Sequence, residues 1–352
     1  MSRPRLKDWE PEPGRGYLLS DLPVELADAL EDFGKAHEEA QQHRRLRQSL
    51  KTIPDVLYHY TSMQGLLGIL EYGQIWASDA ALLNDSLEGV WSHQVASRSA
   101  QDHLADVPEF CEFVLPQLGD AASAQPDIWA PEGQALPDGR QWAALHRSLR
   151  GSLIACFSNE GDQLGQWRGY AADGTGVAIG FDLSEASAWS IGGERLHFGA
   201  PNLLKIEYDH EVQMGVFSEY FKNIRELYEN HKFRLNENKA AMPYFIARLY
   251  HDIIQFIEQT SWEFKSPAYR DEHEWRLCLS GAVFLASKHR VSGNIIVPYE
   301  QLRMPWNTQK GLPIKEIVLG PKCSDLAIRG IRTILNLRST FPTIKRSTLS
   351  YR

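Results

Sequence analysis

The chain has no run approaching the roughly 18 consecutive apolar residues that a membrane-spanning helix needs. Its first residues, Met1-Ser2-Arg3-Pro4-Arg5-Leu6-Lys7-Asp8, hold no apolar core of the kind that directs export. The expectation is a cytoplasmic protein with no membrane partner. Cysteine is scarce: the four present, Cys111, Cys156, Cys278 and Cys323, lie far apart and form no C-x-x-C pair. That spacing supplies neither a disulfide framework nor a zinc-ligand set, so no metal site is read. An excess of positive charge is also missing. With 37 Lys and Arg against 45 Asp and Glu, the formal net charge is −8. This argues against a main task of coating nucleic acid and leaves room only for a local basic patch. The pair Gly174-x-Gly176 lacks the third glycine and the following helix that a dinucleotide-binding turn requires.

What is present is the composition of a soluble globular protein, 43% hydrophobic and 23% charged over 352 residues, enough for one large domain or two small ones. Residues 1–53 read as an N-terminal helical extension and residues 54–340 as a single α+β domain. Residues 92–150 read as an inserted segment of that domain, and residues 341–352 as a basic tail. A helix is expected over 21–51, with Asp21 as cap and Pro23 in its first turn. Its polar second half carries the run His43-Arg44-Arg45-Leu46-Arg47, either a solvated helix end or a contact for phosphate. Residues 116–139 show no periodicity and read as an inserted loop. Strands are expected at 152–158, 174–182, 203–208, 274–279 and 314–319, two helices within 211–262, and a closing helix at 325–337. Residues 159–166 read as a polar loop. Strands and helices do not alternate regularly, so the expected class is α+β with a split, mostly antiparallel sheet and flanking helices.

One stretch organises the rest. Leu57-Tyr58-His59-Tyr60-Thr61-Ser62 is a short strand that leads straight into a helix, with Met63, Leu66, Leu67 and Leu70 at helical spacing. Thr61 or Ser62 can cap that helix and Gly73 can end it. On the strand, Leu57, His59 and Thr61 share one face, while Tyr58 and Tyr60 share the other. A second strand follows at 74–78. Asn84-Asp85-Ser86-Leu87-Glu88 then has the pattern of a helix cap whose Glu88 returns a bond to the cap amide.

Three clusters carry candidate chemistry: His59 with Tyr60 and Thr61; Ser158 with Trp167, Arg168 and Tyr170; and Asp271-Glu272-His273-Glu274-Trp275-Arg276. Extended chain would place Glu272 and Glu274 on one face, about 6.6 Å apart. With Arg276 they form either a surface ion-pair array or a carboxylate pair tuned for a proton or a ribose hydroxyl.

These residues resemble one family. Tyr58-His59-Tyr60-Thr61 with Gly65-Leu66-x-x-Ile69-Leu70, Asn84-Asp85-x-x-Glu88 and Cys156-Phe157-Ser158 are similar to the bacterial family called domain of unknown function twenty-nine seventy-one. So are Trp167-x-x-Tyr170, Glu272-x-Glu274-x-Arg276 and Ile314-x-Glu316-Ile317-Val318-Leu319-Gly320-Pro321. More distantly, the order of a strand histidine, an aromatic or hydroxyl residue on a middle strand and a glutamate opening a late strand resembles the ADP-ribosyltransferases. That resemblance implies an ADP-ribosyltransferase-like fold with NAD as substrate. His59 would hold the adenosine-side ribose, Tyr170 or Ser158 would be the middle member, and Glu274 would grip the nicotinamide-side ribose. Glu272-x-Glu274 also resembles the paired-glutamate loop of members that modify arginine.

The expected function is therefore an NAD-using ADP-ribosyltransferase-like enzyme or NAD glycohydrolase, by analogy a bacterial conflict or toxin-type effector. Glu274 and Glu272 are its catalytic candidates. His59, Tyr60, Thr61, Ser158, Trp167, Tyr170 and Arg276 are the candidates for holding the nucleotide substrate. The macromolecular acceptor is left open. The alternative is a non-catalytic nucleotide- or nucleic-acid-binding module in which Trp167 and Tyr170 stack a base and Arg44, Arg45 and Arg47 meet phosphate.

Overall fold

A computed structural model of the chain describes residues 3–12, 16–82, 90–123, 151–191, 201–281, 286–306 and 311–351. In chain order its elements are α1 (Val24–Ser49), β1 (Leu57–Thr61), α2 (Met63–Tyr72), β2 (Gln74–Asp79), α3 (Val90–Leu104), α4 (Pro108–Phe113), α5 (Leu115–Ser123) and β3 (Gly151–Ser158). There follow α6 (Leu164–Tyr170), β4 (Val177–Phe181), β5 (Ser190–Ile191), β6 (Asn202–Lys205), α7 (His210–Leu235) and α8 (Ala241–Ser261). The last are β7 (Glu274–Gly281), β8 (Lys288–Ser292), β9 (Ile295–Arg303), β10 (Ile314–Leu319), α9 (Ala327–Leu337) and β11 (Thr343–Arg346). The cap signal at 84–88 lies outside the described residues.

The local chemistry of α2 follows the sequence. Ser62 Oγ accepts the Gly65 N–H at 3.1 Å, and Gly73 ends the helix in the left-handed region at φ 65°. The start of α1 does not. The helix begins at Val24, after Pro23, and the Asp21 carboxylate instead accepts the Leu18 N–H in the short 3₁₀ turn Leu19–Asp21. Pro116 does not interrupt structure either: it sits in the first turn of α5, where its missing N–H has no helical partner to lose. Of the expected loop at 116–139, the part beyond Ser123 lies outside the described residues.

The chain forms two compact units. One comprises Met1–Leu50, Gly89–Gln125 and Glu207–Pro267. It is helical, with α1, α3, α7 and α8 enclosing buried Leu26, Phe33, Ala100, Phe217, Phe221, Phe245 and Ile253. Within this core the Tyr220 ring of α7 stacks on Phe256 of α8 at 4.0 Å between centroids. Such rings are worth about 0.5–1.5 kcal/mol beyond the area they bury.

The other unit, Lys51–Glu88, Pro126–Ile206 and Ala268–Arg352, holds one mixed sheet that is antiparallel throughout the described pairings except between β10 and β11. Its order is β11-β10-β4-β1-β3-β2-β9-β5, with β7 on the free side of β3, β6 beyond β7, and β8 on β9. The sheet forks at β3. Along one edge β3 pairs with β7 over its whole length, from Gly151↔Gly281 to Ser158↔Glu274. Along the other it meets β1 only at Tyr58↔Ser158 and β2 only at Ser78↔Ile154 and Asp79↔Leu153. The protein is thus α+β with an open, mostly antiparallel sheet. One sheet face packs Leu57, Phe157, Ile179, Phe181, Trp275, Leu277 and Ile317 into a core with α2 and α9. A smaller cluster on the other face joins Tyr60, Trp167, Ala178 and Val318.

Candidate functional site

Directly opposed residues of paired strands point to the same face. The pairings Glu316↔Gly180, Gly180↔Tyr58, Tyr58↔Ser158 and Ser158↔Glu274 therefore run as one row across β10, β4, β1, β3 and β7. Tyr58, Ser158 and Glu274 share a face, which Arg276 joins two residues further along β7. The Glu274 carboxylate, almost wholly buried, accepts from Arg276 Nε at 2.8 Å and from Nη2 at 3.1 Å. Tyr58 donates its hydroxyl to Glu316, and burial, followed by that carboxylate, raises the phenol above its ordinary pKa.

The polar segment after β3 folds over this face. Ser158 Oγ donates to the Glu272 carbonyl at 2.7 Å and accepts the Glu160 N–H at 3.1 Å. Tyr60 donates to the Glu160 carbonyl at 2.7 Å and accepts the Gln163 N–H at 3.1 Å. Gln163 Nε2 also donates to the Asp271 carbonyl. Residues 159–166, expected as loop throughout, enter α6 at Leu164. The helix buries Trp167 edge-on against Tyr60, with centroids 4.9 Å apart, and Trp167 Nε1 donates to Asp162 at 2.8 Å. Tyr170, 40% exposed, donates its hydroxyl to Glu272 Oε1 at 3.1 Å. Burial raises the Tyr60 phenol above its ordinary pKa, against the lowering by the Gln163 N–H.

Glu272 and Glu274 are not neighbours on an extended strand. Glu272 closes a 3₁₀ turn, Pro267–Glu272, and β7 starts at Glu274. His273 between them takes φ 48°, the left-handed region that a non-glycine residue enters only at a cost. The backbone therefore turns, and the strand spacing does not apply to the pair. Glu272 stays half-exposed while Glu274 is buried.

The structure brings Tyr60, Ser158, Trp167, Tyr170, Glu272, Glu274 and Arg276 to one side of the sheet. It does not bring His59 and Thr61 there. His59 follows Tyr58, so its ring points to the opposite face, where its centroid lies 5.7 Å from that of Phe157 and Nδ1 is 2.9 Å from the Cys156 carbonyl. Burial holds the His59 imidazole below its ordinary pKa, partly countered by that carbonyl. Thr61 packs against the first turn of α2, so close that a Cβ on Gly65 would lie 2.0 Å from its hydroxyl. The pocket expected between His59, Tyr170 and Glu274 is not assembled, because adjacent residues of a strand face opposite ways.

The basic run of α1 has another destination. Arg44 Nη1, Arg47 Nη2 and Gln48 Nε2 converge on the fully buried Glu263 carboxylate at 2.5, 2.7 and 3.0 Å. Arg45 instead pairs with Glu38 at the surface. Sequence reasoning missed Asp162 as a hub and Tyr58 as the first-strand residue of the polar face. Tyr58 and Tyr60 standing together on the face away from His59 was the available signal for the second.

Among the described residues, no group of three His, Cys, Asp or Glu side chains could hold a metal ion, and no helix is long and apolar enough to cross a membrane. An open α+β sheet with a glutamate, a serine and two tyrosines at one rim defines the class of structure. Over residues 166–277, which run from α6 to β7, the chain matches the family described as protein of unknown function, DUF2971. No curated protein and no solved structure matches it.

Proposed function

We propose that this rim is the site of an NAD-using enzyme whose chemistry is that of the ADP-ribosyltransferases, with Glu274 and Ser158 at its centre. The observation that carries the reading is the cross-strand pair Ser158↔Glu274. It sets a hydroxyl on a middle strand beside a carboxylate opening a late strand, with Glu272 and Tyr170 at the same end. Tyr58, not His59, is the first-strand residue on that face.

Cleavage of the bond between nicotinamide and ribose leaves the electron pair on nicotinamide and develops positive charge on the sugar. A carboxylate fixed beside that charge stabilises the transition state more than the ground state. The two-point bond to Arg276 holds Glu274 in one orientation, so little reorganisation is needed as the charge appears. Glu272, half-exposed and accepting from Tyr170, stands where it can orient or deprotonate an incoming nucleophile.

The test is nicotinamide release from NAD by the purified chain, in wild type and Glu274→Gln. Removing one preorganised charge should slow release by about a hundredfold or more. His59→Ala should leave the chemical step in place. No release by the wild type, or equal release by wild type and Glu274→Gln, removes the reading.

A further inference from the structure

One five-residue segment clamps both ends of the helix that carries Tyr170. Before α6, Asp162 Oδ1 accepts from Ser347 Oγ at 2.5 Å, and Oδ2 accepts from the Thr348 N–H at 2.7 Å and from Thr348 Oγ1 at 2.9 Å. Asp162 Oδ1 also takes Trp167 Nε1 at 2.8 Å. After α6, Tyr351 donates its hydroxyl to Asp173 Oδ1 at 2.5 Å, while Lys322 bonds Asp173 Oδ2 at 2.7 Å and lies 4.0 Å from the Tyr351 ring centroid. Between these anchors Leu349 packs on the cluster of Tyr60, Trp167 and Val318. The segment is itself tied to the sheet through Ser347 N–H to the Leu319 carbonyl at 2.8 Å.

Beyond Ala171, which caps the helix, Ala172 and Asp173 both have positive φ, 48° and 53°. Conformations of that kind persist only where the surroundings over-determine them. Tyr351 and Lys322 supply that determination at Asp173. At the other end, Tyr60 and Ser158 hold Glu160 and Gln163 of the loop 159–163, the Asn159 N–H meets the His273 carbonyl at 3.2 Å, and Asp162 ties the loop to the strap and to α6 through four donors. Burial would raise the Asp162 carboxyl, but the bonds from Ser347, Thr348 and Trp167 outweigh it and hold the group below its ordinary pKa.

We infer that the segment Ser347 to Tyr351 is a strap that positions α6 for the site, with Asp162 as its positioning residue. Released from Asp162 and Asp173, the helix loses the fixed setting in which Tyr170 meets Glu272. What the strap serves rests on the function proposed above; the mechanical coupling does not.

The experiment is amide hydrogen exchange on the full chain, on Asp162→Asn and Asp162→Ala, and on the chain ending at Arg346, together with nicotinamide release. Exchange over residues 159–174 should rise about tenfold in Asp162→Ala and in the shortened chain, and less in Asp162→Asn, which keeps one acceptor oxygen. Amides of β4 and β10 should stay protected. Nicotinamide release should fall in kcat in the same order. Unchanged exchange over 159–174, or a rise spread equally through β4 and β10, overturns the strap. A wild type that releases no nicotinamide but shows the local exchange pattern keeps the strap and removes the proposed function.

Discussion

Glu274 grips Arg276 through both carboxylate oxygens, two residues along the same strand and out of contact with bulk water. The pair is therefore structural as well as a candidate for chemistry, and its removal is felt by the fold. Glu274→Gln takes away the charge that the buried Arg276 guanidinium meets at two points, and breaking a buried pair from one side should cost about 3–5 kcal/mol in denaturant unfolding. The double variant Glu274→Gln with Arg276→Met should recover part of that loss. A single variant as stable as wild type would show that Arg276 is satisfied without Glu274.

His59 should set the acid side of the stability profile. Its imidazole is held below its ordinary pKa, so the folded state disfavours the proton that the unfolded state takes up near pH 6.5. Stability is then complete above about pH 6.5 and falls as the pH drops toward the folded-state value. His59→Gln should flatten that part of the curve, read as melting temperature between pH 5 and 8. An identical slope in the variant would assign the titration to another group, such as His37, which burial also lowers.

Gly161 lies under the Tyr58 ring, and a Cβ there would come within 2.5 Å of a ring carbon. Gly161→Ala must push the ring aside and with it the hydroxyl on Glu316. A cost of about 1–3 kcal/mol follows from overpacking, and the Tyr58 phenol should titrate closer to its ordinary range as the buried bond is lost. A phenol titration curve that does not move would show the loop yielding instead of the ring.

Arg44 and Arg47 test the binding-module alternative. Their side chains are 16% and 21% exposed, whereas Glu263 is fully buried. Replacing both by Ala leaves the buried carboxylate with the neutral Gln48 donor and no cation, and should cost about 3–5 kcal/mol, more than Glu263→Gln, which leaves two guanidinium groups able to turn to water. Retained stability with weakened, salt-dependent binding of single-stranded nucleic acid would make the run a phosphate-binding patch instead.

The elements were legible where pattern alone decides them. The alternation in Leu57–Thr61, the cap and stop of α2, and the apolar spacing of α7 and α8 all reappear in the structure. The alternation even separated His59 from Tyr58 and Tyr60. It could not say which of those faces meets Glu274, because that depends on the pairing Tyr58↔Ser158 between residues a hundred positions apart. The turn at His273 was hidden for a different reason: nothing in Glu-His-Glu announces a positive φ, which is imposed by the bonds around Ser158 and Gln163. Arg44 and Glu263 show the same limit, since charge patterning within a helix is silent about a partner more than two hundred residues away.

That last separation has a consequence during synthesis. Arg44 and Glu263 are 219 residues apart, and a ribosome adds about 5–20 residues per second, so α1 waits roughly 10–45 s for its buried carboxylate to exist. Over that interval Leu26 and Phe33 have no α8 to cover them. The sheet waits as long, because Gln74 of β2 pairs with Arg303 of β9, so both units carry uncovered apolar surface until the last third of the chain has been made.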